Sequence, residues 1–304
     1  MRFAPVLLAA FGLAQVAWGQ IELRLSLDRE FFLAGEDLEV AVKVANFSGA
    51  PLKLGERPDW LKFSLERSDS GVVNKRSEVD ESGSFTLEHA TVGTLRFNLT
   101  PHFAVDRPGS YRVTAQATLP NSGEVFTSDA KTFEIVRGVQ LNPDRVIGVA
   151  LPDGTTVKRK FILQQVNFMR KVQLYLRITD GEETANIKVT NLGNLVSFDP
   201  PKWVVDRQNR FHVLHRVDAA NSSYHLFLPD GTLDRRELYR FTASTPELRV
   251  NEAGEGAVVG GIRRPSPGDI PPLKTNRPPV TLTSTNAPAT NAVPQADPKP
   301  EPRP

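Results

Sequence analysis

The sequence has no cysteine, only three tryptophans and four tyrosines among its 304 residues, and a formal net charge of +2 at pH 7. The absence of cysteine excludes disulfide frameworks, thiolate metal sites and cysteine nucleophiles. A net charge so close to zero gives no electrostatic reason to expect a nucleic-acid partner. After the N-terminus, no apolar run reaches the length of about 20 residues that a membrane-spanning helix needs.

The first 19 residues have the three parts of a secretory signal peptide. Arg2 supplies a positive charge, the apolar stretch 6–14 follows it, and Ala17 and Gly19 are the small residues that precede a cleavage site. The apolar stretch is too short for a membrane anchor. We therefore expect an exported protein, periplasmic or extracellular. The lack of cysteine favours a bacterial envelope protein over an animal extracellular one.

Residues 21–137 alternate apolar and polar side chains within short runs. Clear examples are the runs 21–27, 38–44 and 111–119, and turn sequences such as 48–51 separate them. A period of two gives each strand one buried face and one exposed face. The pattern predicts an antiparallel β-sandwich or barrel.

Two segments of this region carry a family resemblance. Residues 32–46 read FLAGEDLEVAVKVAN, and residues 106–111 read DRPGSY. The first resembles the second-strand region of bacterial immunoglobulin-like, fibronectin-III-like and macroglobulin-type domains. The second resembles the late-strand corner of the same domains, where a tyrosine hydroxyl bonds back to upstream backbone.

The resemblance implies that residues 20–137 form an immunoglobulin-like β-sandwich. It also implies structural roles for Asp106, Gly109 and Tyr111 at the corner. The chain departs from the family pattern in two ways, since it has no inter-sheet cysteine pair and Trp60 is not in a central-strand context. The resemblance implies a fold and no particular activity.

Residues 138–264 are also rich in strand signals, and three Asp-Gly pairs punctuate them. In such a pair Asp caps a turn, and Gly adopts a left-handed conformation that most residues avoid. We expect Gly154, Gly181 and Gly231 to be structural residues at left-handed turn positions. The region is predicted to be a second antiparallel β domain of stacked hairpins, which makes the fold class all-β.

One segment of this second domain, residues 203–214, resembles a strand–turn–strand piece of a β-propeller blade. At roughly 40–45 residues a blade, the domain would hold about three blades. Three blades are too few to close a ring. The length of the region therefore favours a second sandwich or an open hairpin sheet over a propeller.

The composition changes after Arg264. Residues 265–304 contain 12 of the 24 prolines, and half of the rest are threonine, serine, asparagine and alanine. Such a segment has too little apolar surface to offset the entropy of ordering it. It is predicted to be a disordered, semi-stiff tail.

Two of the five histidines could form a pair. If residues 218–222 are a five-residue hairpin loop, His215 lies opposite His225 with the two side chains on one sheet face. A zinc site needs a third or fourth ligand, and only Asp206 and Asp218 are near in sequence. The histidine pair is thus a weak metal candidate, and neither a metal nor another cofactor is expected.

No catalytic constellation stands out, because nucleophile-elbow, zincin and phosphate-loop motifs are absent from the sequence. The favoured function is non-enzymatic binding or scaffolding, with a protein or envelope macromolecule as partner. Strand edges and the loops 68–84 and 218–223 would supply the surface. Two alternatives stay open, a metal-assisted or carboxylate hydrolase using the second domain and a glycan-binding module, although the few aromatics argue against the latter.

Overall fold

A computed structural model of the chain describes residues 21–79, 83–120, 122–143, 146–150 and 154–271. All regular secondary structure in these residues is β-strand, and no helix among them could cross a membrane. The strands of residues 21–140 are β1 (Ile21–Leu27), β2 (Phe31–Leu33), β3 (Glu39–Asn46), β4 (Leu52–Leu54), β5 (Leu61–Arg67), β6 (Gly71–Val72), β7 (Phe85–Leu87), β8 (Thr91–Asn98), β9 (Gly109–Thr118), β10 (Val125–Thr127), β11 (Lys131–Val136) and β12 (Val139–Gln140).

The remaining strands follow in the C-terminal half, which we define as residues 138–271. They are β13 (Val146–Ala150), β14 (Thr156–Phe168), β15 (Lys171–Asp180), β16 (Asn186–Asn194), β17 (Lys202–Val205), β18 (Phe211–Arg216), β19 (Asn221–Phe227), β20 (Leu233–Arg240), β21 (Glu247–Val250), β22 (Gly256–Val259) and β23 (Ile262–Arg264). The all-β prediction is confirmed. The predicted signal peptide, Asp153 and the tail from residue 272 lie outside the described residues.

The N-terminal half, residues 21–137, has two main sheets that share one hydrophobic core. One sheet has the order β1-β3-β8, and the other has the order β2-β11-β9-β5-β6, with β10 also paired to β9. The alternation seen in the sequence sets the buried faces. Leu23 and Leu25 of β1 are buried, as are Val42 of β3 and Val113 of β9, while the residues between them face outward.

The C-terminal half is a succession of small antiparallel sheets. β12-β14-β15-β16 form one sheet, to which β13 adds, and β17-β18-β19-β20-β23 form another. Consecutive strands are mostly neighbours, an arrangement that is propeller-like. The two sheets share a core that includes Leu163, Leu176, Phe211 and Phe227. The hairpin β21–β22 lies against the other face of β18 and β19.

The two halves are packed against each other. Phe31 and Leu33 of β2 form a hydrophobic cluster with Val166, Tyr175 and Val189 from the sheet β12–β16. That sheet is therefore covered on both faces, because its other face belongs to the core shared with β17–β23.

Polar contacts reinforce this junction. The Arg29 guanidinium lies 2.7 Å from Glu36 Oε1, and its Nη1 is 3.5 Å from the Tyr175 hydroxyl. Lys188 forms an ion pair with Asp37 at 2.7 Å. The two pairs that cross the junction, Arg29–Tyr175 and Lys188–Asp37, are about 150 residues apart in sequence, so local patterning does not predict them.

The first residues of the predicted tail are folded back on β20. Ile270 forms a β-bridge with Arg236, and the Asp269 carboxylate is buried and 3.1 Å from Arg263. Ordered structure thus continues past Arg264 as far as Pro271. Two contacts hold this segment. Ile270 pairs with Arg236 of β20, and Asp269 forms an ion pair with Arg263 of β23.

Candidate functional site

The two candidate histidines lie on neighbouring strands, but not in the predicted register. We expected Val217 to lie opposite Ser223 and His215 opposite His225. In the structure His215 lies opposite Ser223, and His225 lies opposite Val213. The strand pairing is therefore shifted by two residues, and the predicted cross-strand pair is wrong.

The shift comes from the turn between β18 and β19. One carboxylate oxygen of Asp218 accepts hydrogen bonds from the backbone N–H groups of Ala220 and Asn221, at 2.8 and 2.9 Å. The Val217 N–H donates to the Asn221 carbonyl at 3.0 Å. These bonds close the loop over residues 218–220, which makes it two residues shorter than the sequence suggested.

A shift of two residues keeps side chains on the same face of a sheet. His215 and His225 are consequently diagonal neighbours, and their rings stack with centroids 5.5 Å apart. Both rings are buried, and burial lowers the pKa of His215 to about 4. The pKa of His225 lies well below its usual value because of burial, His215 and the facing Arg236.

The surroundings of the pair do not supply further metal ligands. Asp218 is committed to its turn, and Asp206 binds His212 on the opposite face of the sheet. Among the described residues no group of three or more histidine, aspartate or glutamate side chains could hold a metal ion. Nδ1 of His225 is buried without a hydrogen-bond partner, and the two ring nitrogens of His215 make no well-aligned hydrogen bond, although backbone groups of Leu192 and Asn194 lie near them.

A second polar cluster was not anticipated from the sequence. His212 Nε2 is 2.9 Å from Asp206 Oδ2, and His212 Nδ1 is 2.8 Å from the Tyr224 hydroxyl. Since a carboxylate only accepts, Nε2 carries the proton, and the tyrosine hydroxyl donates to Nδ1. The only sequence signal was that His212 and Tyr224 share a face of paired strands.

Burial and hydrogen bonds determine the protonation states of the three side chains in this cluster. Burial opposes ionisation of Asp206, but hydrogen bonds from His212 and Arg210 keep its pKa below the usual value. Burial lowers the pKa of His212 despite the neighbouring carboxylate, and burial raises the pKa of Tyr224 to about 12. The cluster is thus a neutral imidazole held between an aspartate and a tyrosine. Because it is closed to solvent, it ties strands together and has no room for a substrate.

The residues predicted at the late-strand corner have the following geometry. The Tyr111 hydroxyl donates to the Arg107 carbonyl at 2.6 Å. Gly109 has a φ of +148°, which favours glycine, and it begins β9. Asp106 is exposed and lies 3.4 Å from the Arg76 guanidinium.

The predicted turn glycines differ from one another in their backbone φ angles. Gly154 and Gly231 have left-handed φ values of +84° and +91°. The expectation is wrong for Gly181, since the left-handed residue of that turn is Glu183, at φ +58°. A side chain at Gly181 would place its Cβ 2.7 Å from the Cβ of Lys158. Glycine is needed there for close packing and not for its backbone conformation.

The two loops proposed as binding surfaces are only partly free. The loop 68–84 contains the short strand β6, and Val79 is buried, while residues 80–82 are outside the described range. The segment 218–223 is a tight turn organised by Asp218. Ser222, at the end of this segment, lines a small pocket together with His215.

A concave feature lies at the junction of the halves. We call it the edge groove. It has a volume of about 850 Å³ and is lined by residues 26–30 and 130–134, together with Ser110, Phe168 and Met169. The first two segments adjoin opposite sheets of the N-terminal half. Phe168 is the last residue of β14, and Met169 lies in the turn to β15.

The two long walls of the edge groove are strand edges. Within the described residues, β1 pairs only with β3, and β11 pairs with β2 only from Glu134 onward. The Glu134 N–H donates to the Glu30 carbonyl at 2.9 Å, so this N–H points away from β9. By the alternation along a strand, the N–H of Thr132 points the same way, toward the groove. Met169 is 72% exposed at one end.

Comparisons with known proteins add little. No protein-family model and no curated protein matches the chain. Among solved structures, the crystal structure of Spo0M, a sporulation control protein from Bacillus subtilis, covers 58% of this chain and 90% of its own at 11% sequence identity. Its TM-score of 0.29 is too low to support an argument about fold or function.

Proposed function

We propose that the protein is a non-enzymatic, exported binding or scaffolding protein that takes up an extended segment of a partner protein in the edge groove. The observation that carries this proposal is the pair of strand edges, β1 and the start of β11, that face one groove of about 850 Å³. An unpaired strand edge presents backbone N–H and C=O groups that a further strand can use.

The proposal includes an immunoglobulin-like assignment for the N-terminal half. Three features support it. The two sheets share one core, β2 pairs parallel with β11 while neighbouring pairs are antiparallel, and the Tyr111 hydroxyl bonds to the backbone four residues upstream. The edge groove would then be the open side of a sandwich, between its first and last strands.

The groups that line the groove indicate which features of a partner segment would bind there. Main-chain hydrogen bonds to the Thr132 edge would give affinity without demanding a particular sequence. Exposed Met169 and the half-buried Phe168 would contact an apolar side chain of the segment. Asp28, Glu30 and Lys131 line the walls with both signs of charge, so the segment need not be strongly charged.

The test is site-specific photocrosslinking in the native host. A photoreactive residue at Met169 should give one dominant protein adduct, and the same residue at exposed Phe198, far from the groove, should not. Thr132→Pro removes the outward N–H and should abolish the adduct. Thr132→Val, which keeps that N–H, should retain it. Adducts of equal yield at both positions, or an adduct unaffected by Thr132→Pro, would overturn the proposal.

Export rests on the predicted signal peptide. Protein isolated from the native host should begin at Gln20, as N-terminal sequencing would determine. Protein that begins at Met1 and stays in the cytosol would refute export while leaving the groove proposal testable.

A further inference from the structure

A second concave site lies on the other side of the junction from the edge groove, and the argument for it does not depend on the proposed function. We call it the arginine cleft. It has a volume of about 390 Å³, within the range of small-ligand sites. The corner at Asp106–Pro108, the end of β11 with Arg137, and two side chains of the C-terminal half, Gln164 and Arg177, line it.

The cleft carries an excess of positive charge. Three arginines line it, Arg107, Arg137 and Arg177, against the single carboxylate of Asp106, which also lies 3.4 Å from Arg76. Arg107 and Arg137 are exposed at its walls. In the described part of the chain, the ion pairs include neither of these two residues.

Two buried polar atoms in the cleft lack partners. The Arg177 guanidinium forms an ion pair with Glu183 through one terminal nitrogen, which leaves its Nε buried without an acceptor. Gln164 Oε1 is likewise buried without a donor. The two side chains are on the same face of adjacent strands, because Gln164 lies opposite Tyr175 and Ile162 lies opposite Arg177. Unsatisfied buried donors and acceptors are uncommon and need an explanation.

We infer that the arginine cleft binds the C-terminal carboxylate of a peptide. The guanidinium groups would donate to the carboxylate oxygens, for which their planar fork is suited. Arg177 Nε and Gln164 Oε1 are closed to solvent in the free protein, so both side chains would turn toward the ligand. The orphaned Arg177 Nε would then supply one of these donors. Gln164 Oε1 would accept from the last amide N–H of the same peptide. Sulfate, which is fully ionised at pH 7, offers no such donor, so the orphaned acceptor selects the peptide end over this inorganic oxyanion.

The test is a titration of the full chain at pH 7 with N-acetyl-alanyl-alanine, which has a free carboxylate, and with its C-terminal amide and sulfate in parallel. The readout is the NMR signal of the Arg177 Nε–H group, with isothermal titration calorimetry for affinity. The free-carboxylate peptide should shift this signal in a saturable way. The amide should not, and sulfate should bind at least roughly tenfold more weakly, because it has no donor for the second contact.

Variants separate the site from a general effect of charge. Arg107→Ala with Arg137→Ala should weaken peptide binding by at least roughly tenfold. Both residues are exposed, so folding should survive. Arg249→Ala removes an equally exposed arginine on β21 and should leave binding unchanged. An unshifted Arg177 signal, equal binding of the amide or of sulfate, or an equal loss in Arg249→Ala would each overturn the inference.

Discussion

The imidazole rings of His215 and His225 stack 5.5 Å apart in the buried layer between two sheets, and three of their four ring nitrogens make no well-aligned hydrogen bond. Neutral imidazoles tolerate such a site far better than charged ones, because burial penalises the charged form. The pair is therefore a point at which acid should weaken the fold.

The first prediction concerns this pH dependence. The folded pKa of His215 is about 4, below its value of about 6.5 in an unfolded chain. Between these values the unfolded state binds more protons, so the free energy of unfolding falls as pH drops from about 6.5 to about 4. Over this pH range, the free energy of unfolding should fall by about 2–3 kcal/mol less in His215→Leu than in the wild-type protein. Urea denaturation at pH 7 and pH 4 would measure it.

Exposed His89 provides the control for that experiment. His89→Leu should follow the wild-type pH dependence. If His215→Leu and His89→Leu show the same slope of stability against pH, the buried pair is not the source of acid sensitivity.

The histidine pair also shows which structural features the sequence predicts and which it does not. Alternation along β18 and β19 predicts which residues share a face, and on that basis His215 and His225 were expected to be neighbours. Their register depended on the loop, and the Asp218 carboxylate shortens the loop through hydrogen bonds that no periodicity encodes. The prediction of two β-rich regions followed from strong local patterns.

The same local sequence patterns do not predict the two concave sites. Arg107 and Arg177 line one cleft although 70 positions separate them in the sequence, and Phe168 reaches a groove made mostly by the other half. Such juxtapositions depend on how sheets pack, which a single sequence does not specify locally. The left-handed assignment failed at Gly181 for a related reason, because close packing against Lys158, a tertiary contact, is what requires glycine there.

The second prediction concerns the buried ion pair at the junction. Glu36 accepts from Arg29 and from the Leu33 N–H, and burial raises its pKa despite both contacts. Arg29→Met would leave the carboxylate buried without its counter-charge, at a cost of about 3 kcal/mol at pH 7. Because the folded pKa lies above the unfolded one, part of this loss should be regained as pH falls through the folded value and Glu36 takes up a proton.

Denaturation of Arg29→Met and wild type at pH 7 and pH 5 gives the required difference. Glu36→Gln keeps an acceptor for the Leu33 N–H but cannot ionise, so its cost relative to wild type should not shrink at pH 5. A pH-independent cost for Arg29→Met would contradict the prediction.

The third prediction concerns the corner tyrosine. The Tyr111 ring is buried and stacks on Phe133 at 5.5 Å, and its hydroxyl bonds to the Arg107 carbonyl. Tyr111→Phe keeps the ring and removes only the hydroxyl. The free energy of unfolding should fall by about 1–2 kcal/mol, the cost of losing a buried hydrogen bond. An unchanged denaturation midpoint would mean that the hydroxyl makes no net contribution.

The fourth prediction tests whether the hairpin β21–β22 is seated on His212. A Cβ at Gly256 would lie 2.6 Å from the imidazole ring, and hydrogen bonds to Asp206 and Tyr224 hold that ring in place. Gly256→Ala should therefore lift the hairpin, lower the free energy of unfolding by about 1–3 kcal/mol and expose residues 247–259 to protease. Gly268→Ala is the matched control, since its nearest neighbour is the flexible end of Arg236 at 3.5 Å. Equal proteolysis of the two variants would show that the hairpin is not held by its contact with His212.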